Sequence, residues 1–244
     1  MALVLLAIED GLARLTLNRP EKLNALSGEA FHEIDAHLCA IEQAEVGCVL
    51  LSGAGRSFCA GHDLDGIAGG SEGIEVGRHE SAVIERLAAL PMPVVAAVRG
   101  HCLTGGLELA LGADIVIAAE DAKFADTHAK WDLVPIWGLS QRLPRRVGLA
   151  KAYEMVFASR TYSGVEAVAM GLANFAVPAD RLDEEATRFC RDILANAGRA
   201  NRAFKTLVAK TEELTLAYGL RYELDHTEGR GPEMAERIAR MRKK

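Results

Sequence analysis

The sequence predicts an α/β fold followed by a helical C-terminal region. Strand-like apolar runs alternate with segments of helical periodicity as far as Val177, and glycine turns separate many of them. From Asp180 onward glycines are few and apolar residues recur at long helical spacing. Half of the 244 residues are hydrophobic, which suffices for a large buried core and argues against disorder.

The N-terminal elements follow from turn and capping residues. Residues 4–8 and Leu12–Leu17 flank the turn Glu9-Asp10-Gly11, a pattern typical of a β-hairpin. A helix is predicted to begin at Ser27, whose side chain can cap it, and to end before Gly47. Its apolar residues recur at helical spacing: Phe31, Ile34, Leu38 and Ile41.

The centre of the chain repeats a cycle of strand and helix. Residues 48–51 predict a strand, and Val94–Val98 predicts the next one. The helix between them is marked by four apolar residues: Val76, Val83, Leu87 and Leu90. After a glycine turn come a short helix around residues 107–111 and a strand at residues 115–118.

Beyond Lys123 the chain is predicted to be mostly helical. Ser163 and Glu166 form a capping-box pattern before a helix that Gly171 ends. A short strand near Phe175–Val177 follows. We place a boundary near residue 197, which divides the chain into an α/β core, residues 1–197, and a helical region, residues 198–244.

Composition excludes several classes of protein. A net charge of -6 argues against a nucleic-acid-binding surface. The apolar run in MALVLLAIEDG is far shorter than the ~20 residues of a membrane span, and it lacks the basic segment of a signal peptide. Five scattered cysteines without a CxxC pair are typical of reduced thiols. We therefore expect a cytoplasmic protein that binds neither membrane nor nucleic acid.

Several familiar motifs are incomplete. SGAGRSF begins like a dinucleotide-binding fingerprint, but Phe58 occupies the place of its third glycine. His79-Glu80 lacks the second histidine of a zinc helix, and the sequence contains no GxSxG elbow and no Walker motif. We therefore expect neither a metal nor a redox cofactor.

Two glycine turns and one carboxylate remain as candidates for chemistry. SFCAGHDL and HCLTGGLEL both turn through glycine, and a turn that opens a helix, as at Gly105, leaves backbone N–H groups able to stabilise an oxyanion. Taken alone, the two turns fit plain tight turns better than a reactive site. Glu108 favours a reactive site, because burial among leucines moves a carboxyl pKa toward the range useful for proton transfer.

The order of four longer segments resembles the crotonase, or enoyl-CoA hydratase/isomerase, family. The segments are NRPEKLNAL, SFCAGHDL, PVVAAVRGHCLTGGLELALGADIVIA and LVPIWGLSQRLPRRVG, and the resemblance covers about residues 4–242. It implies a superhelix of repeated ββα units, a C-terminal helical trimerisation region, and a homotrimer or homohexamer. It also implies an acyl-CoA thioester substrate, whose carbonyl oxygen accepts hydrogen bonds from the backbone N–H groups of His62 and Gly105.

The same resemblance implies where coenzyme A binds. The matching positions are Lys22, Asn24, Ala25, Leu26, Ala60, Asp63 and Leu64. Coenzyme A is here part of the substrate, and no separate cofactor is implied.

The catalytic pair departs from the hydratase pattern. Glu108 matches the first of the two glutamates that hydratases of this family use, whereas His128 stands at the second. A histidine can act as an acid or base near neutral pH, although His128 could instead only hydrogen-bond within its loop. Asp126 and Asp132 could orient His128 or simply form turns. Trp131 and Trp137 fit either an acyl pocket or the core.

The leading hypothesis is an enoyl-CoA hydratase-like enzyme in which Glu108 activates water or delivers a proton and His128 assists. A simple isomerase fits less well, because isomerases of this family typically rely on the second position. Thioester hydrolysis and carbon–carbon cleavage remain alternatives. So does a non-catalytic acyl-CoA-binding protein, which the missing second glutamate would suit.

Overall fold

Two sheets organise the chain in a computed structural model, which describes residues 2–63 and 74–242. The larger, six-stranded sheet has the order β1-β2-β3-β4-β6-β9. Its first pair is antiparallel and its other pairs are parallel. The smaller sheet has the order β5-β7-β8. The strands are β1 (Val4–Glu9), β2 (Leu12–Leu17), β3 (Cys48–Gly53), β4 (Val94–Val98), β5 (His101–Leu103), β6 (Ile115–Ala119), β7 (Lys123–Ala125), β8 (Tyr162–Ser163) and β9 (Phe175–Val177).

Helices connect and cover these strands. In chain order they are α1 (Gly28–Gln43), α2 (Ile74–Ala89), α3 (Gly105–Ala110), α4 (Leu139–Val147), α5 (Leu149–Ala158), α6 (Gly164–Ala169), α7 (Leu182–Ala195), α8 (Gly198–Ala209), α9 (Leu216–His226) and α10 (Met234–Met241). Short 3-10 helices lie at Pro20–Lys22, His128–Trp131, Ala179–Arg181 and Lys210–Glu212.

The turn and capping predictions are confirmed. Asp10 and Gly11 both have positive φ, as a two-residue hairpin turn of this hand requires. The Ser27 hydroxyl accepts a hydrogen bond from the Ala30 N–H and caps α1. Ser163 and Glu166 form both hydrogen bonds of a capping box at the start of α6.

The repeated unit is a long strand, a short strand and a helix. β4 lies in the larger sheet, β5 follows at once in the smaller sheet, and α3 comes next. β6 and β7 repeat the step between sheets. Isolated bridges from Cys59 to Cys102 and from Leu26 to His62 extend the pairing beyond β5. This architecture confirms the predicted ββα fold, although the short strands β5, β7 and β8 were not predicted individually.

The core lies around the larger sheet. α7 packs against β2, β3, β4 and β6, while α1 packs against β1 and α2. Its largest fully buried side chains include three phenylalanines: Phe31, Phe58 and Phe124. Burial of side chains of this size provides the main stabilisation of the fold.

The helices after residue 197 differ from those of the core. α8, α9 and α10 contain no buried residue, and several large apolar side chains on them are exposed. The domain boundary at residue 197 and the assembly into trimers stay predictions. None of the helices in residues 2–63 and 74–242 combines the length and apolar character needed to span a membrane.

A buried asparagine holds the loop between β2 and α1. The Asn24 Nδ2 donates hydrogen bonds to the carbonyl oxygens of Ala54 at 2.9 Å and Ser57 at 2.7 Å. Its Oδ1 accepts one from the Arg19 N–H at 2.8 Å. Asn24 is buried and has a φ of 57°, a left-handed conformation that asparagine tolerates better than most residues. This side chain therefore fixes the chain segment that leads to Leu26.

Replacing Asn24 by alanine is expected to destabilise the fold. The variant Asn24→Ala leaves buried backbone groups without partners, so the free energy of unfolding should fall by about 2 to 4 kcal/mol. Chemical denaturation measures this change. The neighbouring exposed variant Glu21→Ala is the control and should stay within about 0.5 kcal/mol of the wild type. Equal stability of the two variants would contradict the role of Asn24.

Candidate active site

A cavity of about 500 Å³ opens between α2, α3 and the loop that follows β7. Most of its wall is apolar, and the large apolar side chains are Leu103, Trp131, Leu133, Val134, Ile136 and Trp137. Its titratable groups are His62, Glu80, Glu108, His128 and Lys130. An apolar cavity with a few converging polar groups is typical of a small-molecule site. It is also lined by all four residues that the sequence predicts to act in the chemistry: His62, Gly105, Glu108 and His128.

Two glycine turns meet at this cavity. A Cβ atom built on Gly105 would lie 3.3 Å from the backbone N of His62, and one built on Gly61 would lie 3.5 Å from the backbone N of Gly105. The amides of His62 and Gly105 are therefore neighbours in space. The Gly105 Cβ would also lie 2.4 Å from the Trp137 ring, so a side chain at this position cannot fit without displacing that ring.

A strained threonine sets the direction of the Gly105 amide. Thr104 precedes α3 with φ 51° and ψ -110°, a conformation that costs about 1 to 3 kcal/mol. Its N–H donates to the carbonyl of Ala125 at 2.9 Å, and its Oγ1 accepts from the Thr127 N–H at 3.1 Å. Among the backbone hydrogen bonds of the described residues, none is donated by the Gly105 N–H. This amide, in the first turn of α3, is available to a ligand oxygen.

Glu108 is buried and held by backbone amides. Its Oε1 accepts hydrogen bonds from the N–H groups of Trp137 at 2.9 Å and Leu139 at 3.0 Å. Burial raises the pKa of the Glu108 carboxyl above its ordinary value. The two N–H groups and the nearby His128 lower this pKa, but they offset only part of the effect of burial. The carboxyl therefore retains a proton at higher pH than an exposed glutamate does.

His128 connects Glu108 to a second buried carboxylate. Its Nδ1 donates a hydrogen bond to the Oδ1 of Asp126 at 2.5 Å, and its Nε2 lies 3.7 Å from the Oε2 of Glu108. Asp126 is fully buried, and His128 is nearly so. His128 thus bonds within its loop and also faces Glu108. Of the two flanking aspartates, Asp126 orients the imidazole, whereas Asp132 is exposed and ends the 3-10 helix with a left-handed φ of 54°.

A third buried carboxylate, Glu80, was not selected from the sequence. Its Oε2 accepts a hydrogen bond from the Trp137 Nε1 at 3.1 Å, and its Oε1 lies 3.5 Å from the Nε2 of His62. The sequence did contain a signal. Glu80 lies four residues after Val76 and three before Val83, on the apolar stripe of α2, where a glutamate is unusual.

The predicted coenzyme A segments lie side by side. The Leu26 N–H donates to the carbonyl of Gly61 at 2.8 Å, and the Asp63 N–H donates to the carbonyl of Leu26 at 2.7 Å. In the first segment Lys22 is exposed and Ala25 is half-buried, whereas Asn24 and Leu26 are buried. Asn24 and Leu26 are therefore enclosed and support the loop, whereas Lys22 and Ala25 are the residues of this segment that solvent reaches.

In the second segment Ala60 lines the cavity. The Asp63 carboxylate forms an ion pair with the Arg19 guanidinium. Leu64 lies outside the described residues. Contact of these segments with coenzyme A stays a prediction. Within residues 2–63 and 74–242, no group of three or more His, Cys, Asp or Glu side chains is arranged to hold a metal ion.

Comparisons with known proteins identify the family. Residues 7–231 match the family model described as enoyl-CoA hydratase/isomerase. A probable enoyl-CoA hydratase of Mycobacterium tuberculosis is 36% identical over 210 residues, which cover 86% of this chain and 82% of the relative. A 1,2-epoxyphenylacetyl-CoA isomerase of Escherichia coli is 34% identical over 248 residues, which cover 98% of this chain and 95% of the relative.

A solved structure agrees with these relatives. The crystal structure of enoyl-CoA hydratase from Bacillus anthracis superposes with a TM-score of 0.91 at 32% identity, covering 99% of this chain and 96% of that chain. The family match spans most of the residues that form both sheets and the cavity. The chain is therefore an enzyme of the enoyl-CoA hydratase/isomerase family, with the crotonase fold that its sequence motifs predicted.

Proposed function

We propose that this enzyme hydrates the double bond of an enoyl-CoA thioester. The observation that carries the proposal is the approach of the His128 imidazole to the Glu108 carboxyl, at 3.7 Å, in the cavity that the Gly105 amide also lines. The relatives named enoyl-CoA hydratase support this reaction. Family membership favours an enzyme over a non-catalytic acyl-CoA-binding protein.

The two glycine turns supply the oxyanion hole in this proposal. The thioester carbonyl oxygen accepts hydrogen bonds from the N–H groups of His62 and Gly105. As water adds, negative charge moves onto this oxygen and an enolate forms. Fixed donors stabilise that charge more in the transition state than in the substrate, and one such donor is worth about 3 to 4 kcal/mol.

Glu108 and His128 handle the two protons of the reaction. The oxygen of water bonds to C3 of the enoyl group, the base of the pair takes a proton from that water, and the acid of the pair gives a proton to C2. A pair that carries one proton can do this with either member as the base. The two forms contain the same number of protons and differ only in which member carries the proton. Proton transfer between the facing Oε2 and Nε2 atoms then restores the starting form.

Asp126 keeps the imidazole in position for this work. Its carboxylate accepts the Nδ1–H of His128 and thereby directs Nε2 toward Glu108. The same carboxylate stabilises the imidazolium when His128 carries the proton of the pair. This buried aspartate is the reason that a histidine can serve where hydratases of the family use a glutamate.

A second candidate reaction is hydrolysis of the thioester. The Asp126–His128 pair has the arrangement of a general base and its orienting carboxylate, which can activate water for attack on the carbonyl carbon. That reaction releases a free acid and coenzyme A, whereas hydration retains the thioester.

The assembly and surroundings of the enzyme belong to the same proposal. Exposed apolar side chains on the C-terminal helices, among them Phe204, Leu216 and Leu224, suit contacts between copies in a homotrimer or homohexamer. The proposed reaction needs no cofactor beyond the coenzyme A of its substrate. A cytoplasmic location stays a prediction from the scattered cysteines.

Removing either member of the pair is expected to stop turnover but not binding. Glu108→Gln and His128→Gln should each lower kcat for crotonyl-CoA roughly a hundredfold or more, with little change in acyl-CoA affinity. Loss of the enoyl thioester absorbance measures turnover, and calorimetry measures binding. The exposed variant Glu120→Gln is the control and should match the wild type. Full turnover by Glu108→Gln would remove this residue from the mechanism.

The pH dependence of kcat/KM should reflect the protonation of the buried Glu108 carboxyl. As the pH falls through the raised pKa of Glu108, the pair gains a second proton and loses its base, so kcat/KM falls. The acidic limb should therefore lie above the ordinary glutamate value of 4.5. A pH series of initial rates measures it. Activity that persists unchanged down to the ordinary glutamate pKa would contradict this assignment.

Stability provides an independent check on the same pKa. Because the native state binds this proton more tightly than the unfolded chain, its stabilising contribution is complete below 4.5 and is lost as the pH rises through the raised pKa. Glu108→Gln has no such group. The difference in unfolding free energy, Glu108→Gln minus wild type, should therefore become more positive from acid to neutral pH.

A side chain at Gly105 should damage the oxyanion hole. In Gly105→Ala the new Cβ would meet the Trp137 ring at 2.4 Å, which displaces the ring or the amide. We expect kcat to fall about a hundredfold or more. Gly198→Ala is the matched control, since a Cβ there meets nothing within 4 Å, and it should retain wild-type kcat. Equal rates for both variants would contradict the placement of the oxyanion hole.

A further inference from the structure

We propose that Glu80 is a positioning residue that holds the Glu108 carboxyl and the His62 turn in their working arrangement. It does so through Trp137 and through the His62 side chain. This inference rests on the proposed roles of Glu108 and of the His62 amide. It assigns a function to Glu80, a buried carboxylate of the cavity that the hydration mechanism does not itself use.

Trp137 links Glu80 to Glu108. The backbone N–H of Trp137 donates to the Oε1 of Glu108 at 2.9 Å, while its indole Nε1 donates to the Oε2 of Glu80 at 3.1 Å. Trp137 is buried, and its ring packs edge-on against Phe31 with centroids 4.8 Å apart. One residue is therefore fixed at both ends by carboxylates. Movement of the indole would move the amide that holds Glu108.

Glu80 also contacts the opposite side of the cavity. Its Oε1 lies 3.5 Å from the Nε2 of His62, and the His62 and Trp137 rings lie 5.1 Å apart. A Cβ built on Gly105 would lie 3.3 Å from the His62 backbone N and 2.4 Å from the Trp137 ring, so the His62 turn, Gly105 and Trp137 are in close proximity. Glu80 therefore contacts two residues of the site. One is His62, whose backbone N–H is a proposed oxyanion donor, and the other is Trp137, whose backbone N–H holds Glu108.

The burial of Glu80 favours this role over a merely structural one or a catalytic one. A buried carboxylate costs several kcal/mol unless it is partnered, and an apolar residue would continue the stripe of α2 at no such cost. Glu80 is 2% exposed, and its Oε1 has no hydrogen-bond partner among the described residues. Although Glu80 lines the cavity, its Oε2 accepts the indole N–H and its enclosed Oε1 faces His62, so both oxygens are directed at residues that hold the site.

Four variants test the inference. Glu80→Leu removes both contacts and Trp137→Phe removes the indole donor, so each should lower kcat about tenfold or more with KM within about threefold. Glu80→Gln keeps an acceptor for the indole and should restore kcat to within about threefold of the wild type. In the double variant Glu80→Leu/Trp137→Phe, the loss should be no larger than in the worse single variant, because both changes break one link.

The pKa of Glu108 distinguishes a positioning role of Glu80 from a merely structural one, because a merely structural role would leave this pKa unchanged when Glu80 is replaced. The Trp137 N–H lowers this pKa, so a displaced Trp137 should raise it further in Glu80→Leu and in Trp137→Phe. Infrared titration of the protonated carboxyl band, assigned by its absence in Glu108→Gln, measures this without any turnover. It therefore tests Glu80 even if crotonyl-CoA is not a substrate and the proposed function fails.

Two results would overturn the inference. One is an unchanged kcat and an unchanged Glu108 pKa in folded Glu80→Leu, or in Trp137→Phe if the leucine variant does not fold. The other is a loss of kcat in Glu80→Leu that is equally large in Glu80→Gln and that adds fully to the loss of Trp137→Phe in the double variant. Thermal unfolding of each variant establishes that the folded protein is measured.

Discussion

The site depends on keeping one carboxyl, that of Glu108, inside an apolar part of the protein. An isolated buried carboxylate is costly, and the fold offsets this cost with the N–H groups of Trp137, in the loop before α4, and of Leu139, the first residue of α4. His128 approaches from a different loop, after β7. Since these partners come from two different loops, both loops must be in place before Glu108 can be both buried and reactive.

The two-layered repeat explains how these parts meet. Each step from the larger to the smaller sheet ends in a turn at the cavity, and two of these turns carry Gly61 and Gly105. The short helix α3 then begins at Gly105 and places Glu108 in its first turn. In this arrangement one tight turn both directs an amide toward the cavity and positions a carboxyl beside it. The strain at Thr104 is the local cost of that geometry.

Local signals predicted the framework well. The hairpin turn at Gly11, the cap at Ser27 and the capping box at Ser163 depend on neighbours in sequence, and each is present as predicted. The three-residue strands β5 and β7 were not predicted individually, because so few residues carry no periodicity. Glu108 was found because a lone carboxylate among leucines is chemically conspicuous. Glu80 was passed over because only its place on a helix face, and not its neighbours in sequence, distinguishes it.

The relation between His128 and Asp126 could not be derived from sequence spacing. Two aspartates flank the histidine, and the loop conformation decides between them: Asp126 turns inward to Nδ1, while Asp132 ends a 3-10 helix at the surface. That choice makes the substitution of histidine for glutamate chemically reasonable. It also leaves two reactions to separate, since the same pair can direct water to C3 of an enoyl group or to the thioester carbonyl.

The most direct measurement is mass spectrometry of the product formed from crotonyl-CoA in water labelled with heavy oxygen. Hydration predicts an intact thioester that has gained one water, with the heavy oxygen in its new hydroxyl group. A free acid carrying the label, together with released coenzyme A, would instead establish thioester hydrolysis and contradict the proposed function.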